Sequence, residues 1–279
     1  MKTLALIFCI FISLTTYSQQ NGMTVDQKTG KIMYDSIGKV SYIAGRVYRT
    51  NSANKTSDEI GINFPIKEKD VIQTDDKSVV KITLNDATII SIGPNSHFNF
   101  KTFKYDSKTE RVAEMELKNG KSRIDVPVRI TNGRMNINTR NVALGVRGTE
   151  FLMNQEFDEN GVSREQIVLL KGELNIKTFG SEEEIIMNSM DHLILKKDKD
   201  SKTNQKMLKL TQNMYNLLNS DGISDQTMKP FLNDLNDDLF DQETATNSTK
   251  EGISQPRKNT NFWRNSLEKL NKKLQESFK

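Results

Sequence analysis

Between residues 38 and 197, apolar and polar side chains alternate with a period of two. Only an extended backbone turns successive side chains to opposite faces, so this stretch is restricted to β structure. Val80, Ile82 and Leu84 alternate with Lys81 and Thr83, Asn85-Asp86 supplies a tight turn, and Ile90 and Ile92 resume the pattern. Ile124, Val126, Val128 and Ile130 form one face opposite Asp125, Pro127 and Arg129. Pro127 has no N–H to give a ladder, which predicts an edge strand or a bulge there. Met135, Ile137 and Thr139 alternate with Asn136, Asn138 and Arg140, and the run from Ile167 to Leu170 predicts a strand buried on both faces. Turns at Asp158-Glu159-Asn160-Gly161 and Lys171-Gly172 separate the later segments, and residues 185–187 and 193–195 close the series. The expected fold is all-β, an antiparallel β-sandwich or a rolled, solenoid-like sheet, followed by a helical C-terminal tail.

The two ends of the chain read differently. Residues 1–18 carry Lys2, an apolar core from Leu4 to Leu14, and small Thr16 and Ser18 before Gln19. This is the pattern of a secretory leader cleaved near Ser18, so the chain is expected to be exported to the periplasm or the extracellular space. Cys9 lies inside the apolar core, which excludes a lipid-attachment box, and no later apolar run is long enough to span a bilayer. Residues 19–37 read as an N-terminal extension. Beyond residue 197, Met207, Leu210, Met214, Leu217 and Leu218 lie at helical spacing. Phe231, Leu232, Leu235 and Leu239 suggest a second helix after Pro230, giving a two-helix segment over 203–240. Residues 241–260 are polar and read as a flexible linker. Phe262, Trp263, Leu267, Leu270, Leu274 and Phe278 then form one stripe of a basic amphipathic helix over 261–279, the candidate contact with a partner or a membrane surface.

Composition removes whole classes of function. Hydrophobic residues make up 35% of the chain, which favours one domain with a polar appendage over a single core filling the full length. The net charge of +4, from 40 Lys+Arg against 36 Asp+Glu, is too balanced for a nucleic-acid binder working by bulk charge. One Cys and two His exclude a structural zinc site of four Cys/His ligands. Fragments of enzyme signatures fail on context. Ser78 and Lys81 have S-x-x-K spacing but sit in a strand pattern that sends them to opposite faces. Gly120-Lys121-Ser122 lacks the earlier glycine of a phosphate loop, since Met115 stands there. The acidic run from Asp234 has Leu239 and Ala245 where a calcium loop needs Gly and Glu. No catalytic residue, metal ligand or cofactor is therefore expected.

One constellation is more specific. In Gly145-Val146-Arg147-Gly148-Thr149-Glu150-Phe151 a lone arginine sits between two glycines on the way into a strand. Arg147 is expected to staple the loop with its fork of donors, with contact to an anion or partner as the competing reading.

The stretch Val146 to Phe151, VRGTEF, resembles the signature of the FecR domain. The surrounding order is similar to that family: an opening strand pair from Gly38 to Val47, Asp70-Val71-Ile72-Gln73-Thr74 as its G-D-x-I-x-T step, and a hairpin at Asp86. Leu117 to Gly120 and Val168 to Leu174 are similar to its later turns. Lys69 stands where the family has Gly, and Ala87 replaces the hairpin Gly. The resemblance spans 38–197 and implies Asp70, Thr74, Asp86, Gly145, Arg147, Gly148 and Thr149 as motif residues with structural roles. The family's best-known members are signal transducers that carry this β domain in the periplasm, beyond an anti-sigma segment and one membrane span. With a leader in place of those parts, the chain is expected to be a stand-alone, non-catalytic envelope module. Expected partners are an envelope protein or a cell-wall component, and no nucleic acid. A polysaccharide- or peptidoglycan-binding module and an accessory component of envelope signalling are the alternatives.

Overall fold

A computed structural model describes residues 23–25, 32–51, 56–106, 110–130, 132–198, 203–212, 215–216 and 218, with side chains from Asp35 onward. The chain divides into two compact units, Met1–Leu232 and Asn233–Lys279, and the described residues all lie in the first. The N-terminal extension holds a short hairpin of β1 (Met23–Val25) and β2 (Ile32–Tyr34). The body then runs through β3 (Gly38–Ala44), β4 (Val47–Asn51), β5 (Ser57–Glu59), β6 (Pro65–Ile66), β7 (Asp70–Thr74), β8 (Val79–Leu84), β9 (Ile89–Ile92) and β10 (His97–Tyr105). It continues through β11 (Arg111–Asp125), β12 (Arg134–Asn138), β13 (Val142–Val146), β14 (Glu150–Phe157), β15 (Ser163–Lys171), β16 (Glu173–Thr178), β17 (Glu184–Asn188), β18 (Asp191–Lys197) and β19 (Thr203–Lys209).

These strands form two ladders joined along a bent edge. One ladder runs β6, β3, β8, β9, the second half of β11, β14, β15, β18 and β19. The other runs β5, β4, β7, β10, the first half of β11, β12, β13, β16 and β17. Strand pairs β3/β4, β7/β8 and β9/β10 each pass from one ladder to the other through a short corner. The chain changes ladder again at β5/β6, β6/β7, β13/β14, β15/β16 and β17/β18, and β11 is long enough to belong to both. Every pairing in the body is antiparallel except that of β11 with β12, and the sheet does not close.

The alternation read from the sequence explains the interior. Val80, Ile82, Ile90, Ile92, Ile124, Phe151, Met153, Ile167 and Leu169 of the first ladder share one core with Ile72, Phe98, Phe100, Met115, Leu117, Ile137, Leu144 and Ile176 of the second. Removing each such side chain from water contributes about 1.5–3 kcal/mol, and with a single Cys the chain has no internal disulfide to supplement it. The opposite face of the first ladder is also covered at one end. Leu152, Val168, Leu170 and Ile194 lie there, buried but outside the common core. Leu210 and Leu218 are buried as well, and the Arg123 guanidinium (Nη1) on this face donates to the Leu218 carbonyl oxygen at 2.9 Å.

The all-β expectation holds, with two corrections. The face expected over 124–130 stops early, because β11 ends at Asp125 and residues 126–130 form no strand. Val126 still donates its N–H to the Thr149 carbonyl, but Pro127 cannot continue the ladder, and Val128 turns to solvent. The second correction lies at 203–209, where a strand replaces the expected start of a helix. The edge of β18 offers unpaired backbone groups, and β19 takes them residue by residue from Lys197↔Thr203 to Asp191↔Lys209. Tertiary pairing there overrides the helical spacing of Met207 and Leu210. The β body therefore extends beyond residue 197 to Lys209. Helical backbone begins only after it, at Gln212, Tyr215, Asn216 and Leu218, with the Tyr215 N–H donating to the Thr211 carbonyl. The leader, the remainder of the two-helix segment, the linker and the terminal helix lie outside the described residues. Among the described residues no helix is long and apolar enough to cross a membrane.

Candidate functional site

Each corner of the bent edge interrupts two ladders and would strand backbone groups unless side chains replace the lost partners. Thr74 meets this need by donating its hydroxyl to the Gly93 carbonyl at 2.6 Å while accepting the Ser96 N–H at 3.0 Å. Ser78 accepts the Arg46 N–H at 2.8 Å, and Ser96 accepts the Lys121 N–H at 2.8 Å while donating to the Pro94 carbonyl. Close approach at the edge requires glycine. Gly120 has φ +88°, and a Cβ there would sit 2.5 Å from the Ser96 Cα.

The two motif carboxylates are likewise consumed by the fold. Asp70 is fully buried; it accepts the Lys67 N–H at 2.8 Å and the Asn51 amide at 3.2 Å, and pairs with Arg49 at 2.9 Å. Asp86 accepts the Thr88 N–H at 3.0 Å and forms a buried ion pair with Arg111 at 2.7 Å. Sequence reasoning missed Arg111, since its partner lies 25 positions away on another strand and no local pattern marks it. The two departures from family pattern, Lys69 and Ala87, adopt φ of +67° and +66°. The chain keeps the turns that glycine would make and bears the cost of a side chain in left-handed backbone.

The glycine-flanked arginine does not behave as expected. Gly148 has φ +66° and approaches Arg129, as a turn glycine should. Gly145 lies in regular strand, opposite Asn136 and Asn175, and a Cβ there would meet nothing nearer than 3.6 Å. Thr149 is buried beneath the turn at Gly172. Arg147 is exposed, and among the described residues it forms no hydrogen bond or ion pair. The expected staple is therefore not made. In an exposed position a guanidinium can remain hydrated, and nothing forces it to seek carbonyls.

What the fold leaves unused lies beside the bent edge. A depression of about 440 Å³ is lined by Pro94, Asn95, Lys118, Asn119, Gln155 and Phe157, among others. Gln155 faces Gly120 on one side and Glu165 on the other in the ladder, is fully buried, and has no hydrogen-bond partner for either amide atom among the described residues. Glu165 is buried too; Asn141 donates to its carboxyl at 3.3 Å and to the Ser163 hydroxyl at 2.7 Å. Burial pushes the Glu165 carboxyl up to about 7, against the pull of hydrogen bonds from Thr139 and Asn141. On the outer face of the same ladder, burial lowers His192 to about 4. His97, across from Asn119, is lowered by burial and by the nearby Lys118 charge. The available signal for Gln155 and Glu165 was polar side chains at inward positions two residues from Met153 and Ile167. Among the described residues no group of three or more His, Cys, Asp or Glu could hold a metal ion.

Residues 70–175 match the family model described as FecR protein. The chain carries a FecR domain. Its matched span opens at the buried carboxylate of Asp70 and closes at Asn175, the ladder partner of Gly145, so it takes in the crossings at β7/β8, β9/β10 and β11. Strands β3 to β6 precede the FecR match, and β17 to β19 extend the same two ladders beyond it. Two crystal structures of a candidate anti-sigma factor from Parabacteroides distasonis ATCC 8503, at 1.65 and 2.50 Å, are similar at 14% identity with TM-scores of 0.41 and 0.42. The similarity covers 53% and 54% of this chain and 64% of each of those chains, under two thirds of their length. No curated protein matches the chain.

Proposed function

We propose that the chain is an exported binding protein of the bacterial envelope, accessory to envelope signalling, that acts through surface contacts without covalent chemistry. The observation that carries this reading is the FecR domain whose polar motif residues are engaged within the fold, Thr74 at the bent edge, Asp70 with Arg49 and Asp86 with Arg111. A buried carboxylate whose oxygens are taken up by an arginine and a backbone N–H has no oxygen free for a substrate, so these groups serve the scaffold. In this reading the two ladders are the layers of a rolled sheet, and the chain's secretory leader delivers it to the periplasm or beyond. The terminal stripe Phe262, Trp263, Leu267, Leu270, Leu274 and Phe278 supplies a second contact to an envelope partner or a membrane surface.

Fractionation of cells carrying the tagged full chain, with in-cell crosslinking, tests the proposal. The expected result is a leader-cleaved protein outside the cytoplasm, crosslinked to an envelope protein or to cell wall. A cytoplasmic protein with its leader intact overturns it. Removal of residues 257–279 separates the tail's role from that of the β body: loss of envelope association with unchanged stability assigns the contact to the tail.

A further inference from the structure

We infer that the depression beside the bent edge is a binding site for an acidic sugar ring. The amides of Asn119 and Gln155 would take its hydroxyls, Lys118 and Arg140 its carboxylate, and Phe157 its apolar face. The inference deepens the reading of the chain as an envelope binding protein, and it rests on that reading only for the compartment in which such glycans occur.

Four observations converge on this class of ligand. The depression, at about 440 Å³, is within the range of small-ligand clefts and holds one or two sugar rings. Gln155 lines it with both amide atoms unpartnered, although the residue is fully buried. Leaving such a group unmade costs free energy, and a vicinal pair of hydroxyls can accept from its N–H and donate to its carbonyl at once. Phe157 is 39% exposed, and the Arg140 guanidinium sits 5.2 Å from its ring centroid. A sugar presents an apolar C–H face that packs on an aromatic ring.

Charge supplies the fourth observation. Arg49, Arg111 and Arg123 each have a carboxylate partner, whereas Lys118 and Arg140 are exposed and form no ion pair among the described residues. The one carboxylate of the lining, Glu156, accepts from Asn154. Lys118 in the lining, with Arg140 beside it at the Phe157 ring, favours an anionic polyol over a neutral one. An extended peptide fits less well. Gln155 is paired with Gly120 and Glu165 on its two sides, so β14 has no free edge here to which a peptide strand could add.

The test uses the purified full chain, ¹⁵N-labelled, titrated with sodium D-glucuronate to about 10 mM, the range in which a single ring binds. D-glucose, sodium acetate and the dipeptide Ala-Glu are titrated in parallel. Glucuronate is expected to shift the side-chain amide signals of Gln155 and Asn119, with glucose about tenfold weaker and acetate without effect on Gln155. The double variant Lys118→Gln/Arg140→Gln should weaken glucuronate about tenfold, and Phe157→Ala should weaken both sugars. All three side chains are partly or largely exposed, so their spectra away from the site report whether the fold is kept. Absence of any shift at Gln155, shifts equal in wild type and variants, or binding of Ala-Glu in preference to glucuronate overturns the proposal. None of these outcomes touches the fractionation result, so the two readings fail separately.

Discussion

Two buried groups on opposite faces of one ladder should contribute opposing, nearly cancelling slopes to the stability between pH 5 and 7, and single substitutions should expose each of them. Glu165 ionises near 7 in the fold against 4.5 when unconstrained. Its neutral form is the one the core accepts, so its contribution is complete below pH 4.5 and is lost as pH rises through 7. His192 is lowered to about 4 from 6.5, and its neutral form is also the accepted one. Its contribution is complete above pH 6.5 and is lost as pH falls through 4. Each slope approaches about 1.4 kcal/mol per pH unit, with opposite sign. Integrated from pH 5 to 7, Glu165 takes away about 2 kcal/mol while His192 restores about 2 kcal/mol. The variant Glu165→Gln keeps the size and the neutral state but no longer titrates. Relative to the parent it should gain about 2 kcal/mol more at pH 7 than at pH 5, and His192→Gln should show the reverse. Urea unfolding followed by far-UV circular dichroism at pH 5, 6 and 7 measures this, and comparing variant with parent cancels every other titrating group. Stability differences that stay constant across the three pH values would refute the reasoning, because they would mean that neither group changes its proton affinity on folding.

Removing either partner of the Asp86–Arg111 pair, as Asp86→Ala or Arg111→Ala, should cost about 3–5 kcal/mol in chemical unfolding. Asp86→Asn with Arg111→Met should recover much of it, since no buried charge is then left alone. Gly120→Ala should lower the melting temperature sharply, because it places a Cβ against the Ser96 Cα in left-handed backbone, while Gly145→Ala in the signature should be tolerated within about 1 kcal/mol. Ala87→Gly should raise stability by up to about 1 kcal/mol by relieving a positive φ, and a loss of stability in the same assay would show that the turn is not strained.

The strands were legible because burial on one face leaves a period of two in the sequence, as at Val80, Ile82 and Leu84. The layer arrangement was not, because a corner is written in single small residues. Gly45 meets Ser78, and Gly120 meets Ser96, only once the crossing strands are side by side. The same reasoning explains Arg111. Its position in β11 alternates as a core residue should, and only the Asp86 carboxylate across the core makes a guanidinium acceptable there. Arg147 shows the converse error: a residue conspicuous in the sequence was given a contact that its exposed position does not need. At β19 the local apolar spacing fitted a helix, but the open edge of β18 offered more hydrogen bonds than an isolated turn of helix could.

The division of polar residues follows from the geometry of a sheet that is bent and left open. Bends and tight turns force the chain to supply hydroxyls, carboxylates and left-handed residues at fixed places: Thr74 serves a bend, Asp70 and Lys69 the turn into β7, and Asp86 and Ala87 the β8–β9 hairpin. Motif residues so placed are committed to the scaffold and leave little capacity for recognition. The open sheet also has a depression beside the bend, where the interior carries polar side chains as well as apolar ones. A polar side chain at such a position can be buried and still remain without a protein partner, as Gln155 is. The scaffold and the candidate ligand site thus come from one structural cause. Changes at the depression, at Lys118, Arg140 or Phe157, should therefore alter binding without unfolding the body, whereas changes at the corners should do the opposite.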